Sequence, residues 1–403
     1  MMKRILEIQL PLGQSAYLWG ARKTGKSTYL HAFFPEAWVY DLLETDTFLR
    51  FTKNPQEFRE EILSKLKYSR GQTQVQQFII VDEIQKIPLL LNEIHYLIEK
   101  VKVQFILCGS SARNLRVQQA NFLGGRAWIF NFFPLVYPEL QELDLLKIFK
   151  QGGLPAHYLY DENSAKESIK AYIEGYILQE IRLETRIRNL NTFMNFLDLV
   201  SFCQGDIINF SNIARDCGVS SKTVQSYFEL LVDMLLGYFI HPFTKNNKRN
   251  LIMHAPKFYL FDVGIANYLA KRNITELQGA EAGQALEHYL CLELYAYLKY
   301  NRIESRLLYW KTKTGLEVDF IVQEGKIAIE CKISKNIDKR EYRGLLAFKD
   351  NFPEARLIMV ALVTSPRMVK IPTDQGTGME TEIEIMPLEF FLKQLWAGKI
   401  IHA

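Results

Sequence analysis

The chain has 403 residues, 48% of them hydrophobic and 23% charged, the balance of folded globular proteins, which excludes disordered, collagen-like and disulfide-scaffold classes. That length exceeds a typical domain of ~100–200 residues, so two to four domains are expected. Lysine plus arginine is 49 against 45 for aspartate plus glutamate, and a net +4 neither requires nor excludes nucleic acid.

The five cysteines (Cys108, Cys203, Cys217, Cys291, Cys331) are odd in number, far apart and without a C-x-x-C pair. Reduced thiols, no zinc and a cytoplasmic location are expected from that pattern. No uncharged apolar run reaches the ~18 residues of a membrane span. Glu7 interrupts the short apolar stretch near the N-terminus, so no signal peptide is expected either.

In chain order, SAYLWG, WVYDLL, QFIIVD and QFILCGS are four short β-rich runs between helix-length stretches. They predict an α/β fold with a mostly parallel sheet, its strand ends opening onto a ligand crevice. After the first run, Gly20-Ala21-Arg22-Lys23-Thr24-Gly25-Lys26-Ser27 fits G-x-x-x-x-G-K-[ST] in full and is followed by Thr28 and a helical stretch. Such a loop turns successive backbone N–H groups toward phosphate oxygens, and the next helix adds its N-terminal partial charge. Lys26 is the candidate for the β- and γ-phosphates of ATP, and Ser27 for the Mg²⁺ shell.

The run Phe78-Ile-Ile-Val ends in Asp82-Glu83. Asp82 would hold Mg²⁺ through water, and Glu83 would orient and deprotonate the attacking water. The fourth run ends at Gly109-Ser110-Ser111, where Ser110 either places a hydroxyl near the γ-phosphate or belongs to a simple Gly-Ser turn. Arg113 and Arg126 are candidates for stabilising charge on the γ-phosphoryl group, in cis or from a neighbouring subunit, and the latter would make a homo-oligomer.

GARKTGKST, IIVDEIQKIP, LCGSSARNL and LGGRAWIFNFFPL together resemble the predicted AAA+ ATPases of bacteria and archaea that carry a C-terminal domain of unknown function. The resemblance runs from about Arg4 to Lys332 and implies a functional arginine at Arg126 rather than Arg113. Gly153-Leu-Pro155 is similar to the Gly-x-Pro at the helical lid of related ATPases.

From residue 139 to about 235 strand signals lapse, and helical periods appear in ESIKAYIEGYILQEI and TFMNFLDLVSF. Phe210 to Phe239 reads as a helix-turn-helix: Ile213, Ala214 and Val219 at helical spacing, a turn at Gly218, a cap at Ser220 or Ser221, then Val224, Tyr227, Phe228 and Leu231. The runs GYFIHPF and KFYLFD suggest a wing. Either Lys222, Thr223, Gln225 and Ser226 face a DNA groove, or the module packs against the ATPase lid. Lys245 to Lys257 contains four basic residues and no acid, enough for several phosphate contacts at the expected wing.

Near the C-terminus, Gly315 to Val322 and Lys326 to Lys332 read as a hairpin that brings Asp319 toward Glu330 and Lys332. Two carboxylates there could bind Mg²⁺ while the lysine activates water or steadies phosphorane charge, or they could be surface charges on an amphipathic hairpin. Asp, ten residues, then Glu-x-Lys is similar to the restriction-endonuclease-like PD-(D/E)XK superfamily, which implies Glu287, on an upstream helix, as a further acid of the metal set. Lys299 to Lys313 forms a second basic stretch.

The expected fold is therefore α/β: a P-loop AAA+ core over 1–138, a helical lid over 139–192, a winged helix-turn-helix over 193–262 and a restriction-endonuclease-like domain over 263–403. ATP and Mg²⁺ are the expected ligands, with ADP as product and DNA as a partner. Two other readings stand beside it: a nucleotide-dependent switch or scaffold that binds proteins with an inactive nuclease fold, and a DNA-binding regulator without cleavage.

Overall fold

Each of the four apolar runs folds as a strand: β1 (Ser15–Trp19), β2 (Trp38–Asp41), β3 (Phe78–Asp82) and β4 (Gln104–Gly109). A fifth, β5 (Ala127–Asn131), was not among the expected strands. It lies at the sheet edge with Ile129 56% exposed, so its apolar residues carry no buried alternation to read. In the computed structural model, which describes residues 2–69, 77–111, 123–177, 189–244, 255–372 and 380–402, these strands form a parallel sheet of order β2-β3-β4-β1-β5. Helices α1 (Lys26–Phe33), α2 (Thr45–Lys53), α3 (Pro55–Ser69) and α4 (Leu90–Val101) connect the strands. On α4 the buried Leu90, Ile94, Leu97 and Ile98 recur at helical spacing and pack against the apolar sheet core.

The chain divides into two compact units. The N-terminal unit is Lys3–Phe133 together with Asp233–Leu236, and the C-terminal unit holds Pro134–Val232 and Gly237–Ala403. Within the latter, α5 (Leu145–Gln151), α6 (Pro155–Leu159) and α7 (Glu162–Ala171) precede α8 (Leu190–Phe202). Then come α9 (Phe210–Cys217) and α10 (Ser221–Asp233). Between α9 and α10, Gly218 is left-handed at φ 66, the Val219 N–H donates to Ala214 O at 2.9 Å, and Ser220 Oγ accepts the Thr223 N–H at 3.1 Å. Val219 therefore belongs to the turn, not the helix, and Ser220 rather than Ser221 is the cap.

The remaining strands are β6 (Gly237–Pro242), β7 (Lys257–Leu260), β8 (Leu308–Lys311), β9 (Glu317–Val322), β10 (Ile327–Lys332), β11 (Arg356–Ala361), β12 (Arg367–Pro372) and β13 (Glu380–Pro387). They make an eight-stranded mixed sheet of order β12-β13-β11-β10-β9-β8-β6-β7. The hairpin expected as a wing is thus part of this sheet: β6 pairs antiparallel with β7 and parallel with β8. Helices α11 (Val263–Leu269), α12 (Gly279–Tyr300), α13 (Arg343–Asn351) and α14 (Leu388–Trp396) complete the unit. Most of α12 is buried in the main apolar core with β9, β10, β11 and α14.

One part of the wing expectation is corrected. Lys257 is 2% exposed, sealed inside the C-terminal unit by ion pairs to Glu287 and Glu317, and is not a surface phosphate contact. Lys245, Lys248 and Arg249 lie outside the described residues, as does Arg113.

Candidate functional site

The loop after β1 is held from several sides. A Cβ at Gly20 would come within 2.3 Å of the Phe132 carbonyl oxygen, so only glycine lets the chain leave β1 there. Gly25, at φ 93, starts α1. Thr24 Oγ1 donates to Ala21 O at 2.8 Å, and Arg4 Nη1 donates to Thr24 O at 2.6 Å. Arg4 also donates to Phe133 O at 2.6 Å and lies over the Phe132 ring. The buried Lys26 turns Nζ back onto Gly20 O at 2.8 Å and Ala21 O at 3.0 Å. Lys23, Ser27 and Thr28 are exposed at the loop and first turn.

Ser27 Oγ donates to Asp82 Oδ2 at 2.6 Å, although β4 separates β3 from β1. A hydroxyl and a carboxylate this close are the hard oxygen ligands that suit Mg²⁺. Glu83, 6% exposed, has a left-handed backbone at φ 56 and ψ 41, a sparsely populated region for a non-glycine residue. Its Oε2 accepts hydrogen bonds from Gln85 Nε2 and from Ser110 Oγ, the latter at 3.2 Å, and Arg22 Nη2 lies 3.9 Å away. Gln85 Nε2 also donates to Ser110 Oγ at 3.2 Å. The loop, Asp82, Glu83 and Ser110 thus meet at the C-terminal edge of the parallel sheet, where α/β folds bind ligands. Gln85 and Arg4 were not singled out from sequence. Gln85 carried a signal, an amide two residues after a strand-end acid pair.

Arg126 sits elsewhere. Its carbonyl accepts the Ser15 N–H at 2.9 Å, which places it beside the start of β1, while the phosphate-type loop follows the far end. Five strand residues separate the two by ~15 Å. The guanidinium pairs with Glu99 of α4. Arg126 and the loop of its own chain are therefore at opposite edges of the sheet.

In the C-terminal unit, β9 and β10 pair antiparallel with Val322 opposite Ile327 and Phe320 opposite Ile329. Asp319 Oδ2 accepts the Cys331 N–H at 2.8 Å, and Lys332 Nζ lies 2.6 Å from Glu330 Oε1. Burial, then the Glu330 and Glu287 carboxylates, pushes the Asp319 carboxyl well above its ordinary range against the pull of Lys332 and Lys257. Glu330 is also raised by burial, with Lys332 opposing. Among the described residues its buried Oε2 has no hydrogen-bond partner. Glu287 reaches this group from α12 but faces β7: its Oε1 is 3.2 Å from Lys257 Nζ and accepts the Tyr259 hydroxyl at 2.6 Å.

Asp319, Glu330, Lys332 and Glu287 therefore share one electrostatic neighbourhood. Among the described residues, however, no three His, Cys, Asp or Glu side chains converge to hold a metal ion. Glu317 falls within the expected hairpin but was given no role there, although it lies two residues before Asp319 and so on the same strand face. It binds Lys257 at 2.6 Å and Lys311 at 2.7 Å.

Comparison with known proteins bears on the N-terminal unit as a domain. Residues 13–141 match the AAA domain of AAA family ATPases. The N-terminal unit, with its parallel sheet and phosphate-type loop, is consistent with a P-loop AAA domain, and such a domain implies nucleotide binding. Residues 142–276 and 282–388 match two domains of unknown function, DUF8612 and DUF4143. An uncharacterized protein of Mycobacterium tuberculosis is 24% identical over 322 residues, covering 76% of this chain and 71% of its own. An uncharacterized protein of Methanocaldococcus jannaschii is 22% identical over 409 residues, covering 94% of this chain and 86% of its own. Among the described residues no helix is long and apolar enough to cross a membrane.

Proposed function

We propose that the protein binds and hydrolyses ATP in its N-terminal unit. Nucleotide state is coupled to a helical lid (139–192), a winged helix-turn-helix (193–262) and a restriction-endonuclease-like domain (263–403) that contacts DNA. The Ser27–Asp82 hydrogen bond, with Glu83 and Ser110 beside it, is the observation that carries the ATPase reading. Ser27 and Asp82 would hold Mg²⁺, which neutralises phosphate charge when bound. The backbone of Gly20 to Ser27 cradles the phosphates, with Arg22, Lys23 and Thr28 at its rim, and Lys26 turns its ammonium from the loop carbonyls to the β- and γ-oxygens. Glu83 takes the proton of the attacking water, and Ser110 holds Glu83 and the water in line. Arg126 acts on the site of a neighbouring copy, since it lies at the opposite sheet edge in its own.

Two substitutions test this reading. Lys26→Ala abolishes ATP binding in a fluorescent-nucleotide titration. Glu83→Gln keeps binding and lowers turnover by ~10²- to 10⁴-fold, and equal ATPase rates for wild type and Glu83→Gln would remove Glu83 as the base.

DNA contact is supported by exposed Lys222 and Gln225 on α10 and by exposed Lys299, Arg302, Arg306 and Lys313. Salt-sensitive binding of duplex DNA, weakened by joint charge removal at Arg302, Arg306 and Lys313, is the expected result. The alternative, a nucleotide-dependent switch that binds protein partners, is favoured by the lysine pairing of the C-terminal acids. It gains if no salt-dependent DNA binding appears in any nucleotide state.

A further inference from the structure

Lys257 is the buried cation that neither ATP chemistry nor DNA contact uses. A lysine as buried as this one, 2% exposed, is rare unless it is paired. Its ammonium lies 2.6 Å from Glu317 Oε1 and 3.2 Å from Glu287 Oε1, and 5.4 Å from the centre of the Tyr309 ring. Glu287 and Glu317, arriving from α12 and β9, are thereby bridged by one positive group. Lys311 takes the other oxygen of Glu317 and Lys332 takes one oxygen of Glu330. Lys257, Lys311 and Lys332 thus lie among the carboxylates of Glu287, Glu317, Asp319 and Glu330, with Asp206 close enough to feel Glu287 and Glu317, and among the described residues the buried Glu330 Oε2 has no hydrogen-bond partner.

The consequence for metal binding is geometric. A divalent ion needs several carboxylate oxygens turned to one point, whereas an ammonium donates three hydrogen bonds in separate directions and can bridge acids that do not converge. Glu287 lies close enough to raise the Asp319 carboxyl, yet its hydrogen-bonded oxygen points to Lys257 and Tyr259. The side chains as folded do not fit a metal ion.

We propose that Lys257 is a tethered cation that takes the place of a divalent ion in this acid cluster, and that it withholds Glu287 from Asp319 and Glu330. The cluster is closed to Mg²⁺ and Mn²⁺ while β7 is seated in the sheet. Without the ammonium, Glu287 is free to join Asp319 and Glu330, with the unpartnered oxygen of Glu330 as a ready ligand. This inference is independent of the ATPase reading, because every residue in it belongs to the C-terminal unit.

Mn²⁺ titration of the nucleotide-free full chain, followed by electron paramagnetic resonance of the free ion, tests it. A Ser27→Ala background silences the nucleotide site. In that parent, Asp319→Asn leaves Mn²⁺ binding unchanged. Lys257→Met adds one Mn²⁺ site, at least roughly 10-fold tighter than any in the parent, and adding Asp319→Asn removes it. A parent site that Asp319→Asn abolishes would overturn the proposal, as would a folded Lys257→Met chain that gains no ion. Should Lys257→Met not fold, thermal unfolding of Lys257→Gln with and without Mn²⁺ decides: a rise in midpoint supports the tethered cation and no change refutes it.

Discussion

Gln85 holds the side chains of Glu83 and Ser110 to each other through a single amide nitrogen. It sits on the short 3₁₀ turn Ile84–Lys86 that the left-handed Glu83 begins, so the strained backbone and the amide bridge fix the acid together. Gln85→Leu removes both bonds while keeping bulk. The expected outcome is a fall in kcat of ~10- to 100-fold with nucleotide affinity within about 2-fold, measured by steady-state ATPase and nucleotide titration. A change in affinity alone would make Gln85 a binding residue and not a positioning one. The loop from Gly20 to Ser27 was legible in sequence because its spacing dictates backbone shape, and so was Asp82-Glu83 at a strand end. Gln85 was passed over although its place two residues after the acid pair was visible, because its contact with Ser110 depends on the 3₁₀ turn at Ile84–Lys86. Lys257 read as a wing cation for a similar reason: whether a lysine is exposed depends on partners 30 and 60 residues away in the sequence, Glu287 and Glu317.

Between elements, α5 and α11 of the C-terminal unit approach each other at backbone distance. A Cβ at Gly264 would lie 2.2 Å from Gly152 N and 2.5 Å from Gln151 C, and these are backbone atoms that cannot swing aside. Asp262 locks the same crossing, accepting the Gly153 N–H at 2.7 Å and capping α11 through the Ile265 N–H at 3.0 Å. Gly264→Ala should therefore destabilise the unit by about 1–3 kcal/mol or more, read by urea denaturation. Gly175→Ala, with nothing within 4 Å of the added carbon, should stay within ~0.5 kcal/mol. Sequence revealed α9 and α10 because their caps and apolar spacing are local. It did not reveal that β6 and β7 join β8, because strand partnership is a non-local choice that a short apolar run leaves open.

Over the whole C-terminal unit, two buried carboxyls make stability depend on pH in the same direction. Burial pushes Glu293 from its ordinary 4.5 up to about 7, although it accepts the Tyr137 N–H at 2.8 Å and the Trp396 Nε1–H at 2.7 Å. Burial likewise pushes Asp262 up to about 6. Each binds its proton more tightly folded than unfolded, so its contribution is fullest below the unfolded value and is lost as pH rises through the folded one. Burial holds His288 down at about 4 and acts in the opposite direction over the same range, so the Glu293 contribution is read by difference: from about pH 4.5 to about 7 the urea midpoint of wild type should fall relative to that of Glu293→Gln. A difference that does not change with pH would show that Glu293 titrates normally. The charge pattern also changes at this scale. The two basic segments each contribute +4 in sequence, but Lys257 is buried and the exposed Lys311 is paired with Glu317, so the charge available to a polyanion is smaller than the sequence count implies.

The N-terminal unit is not one continuous stretch: Asp233–Leu236 belongs to it, and Leu235 packs against its apolar core. On the ribosome, the polypeptide up to Phe133 must wait about a hundred residues for that piece, roughly 5–20 s at ordinary synthesis rates of ~5–20 residues per second. Through that interval the nascent sheet lacks part of its cover while the helices from α5 to α10 emerge. A fragment ending at Phe133 would be fixed permanently at that stage, and a short exposed stub of core is what a chaperone would meet in both cases.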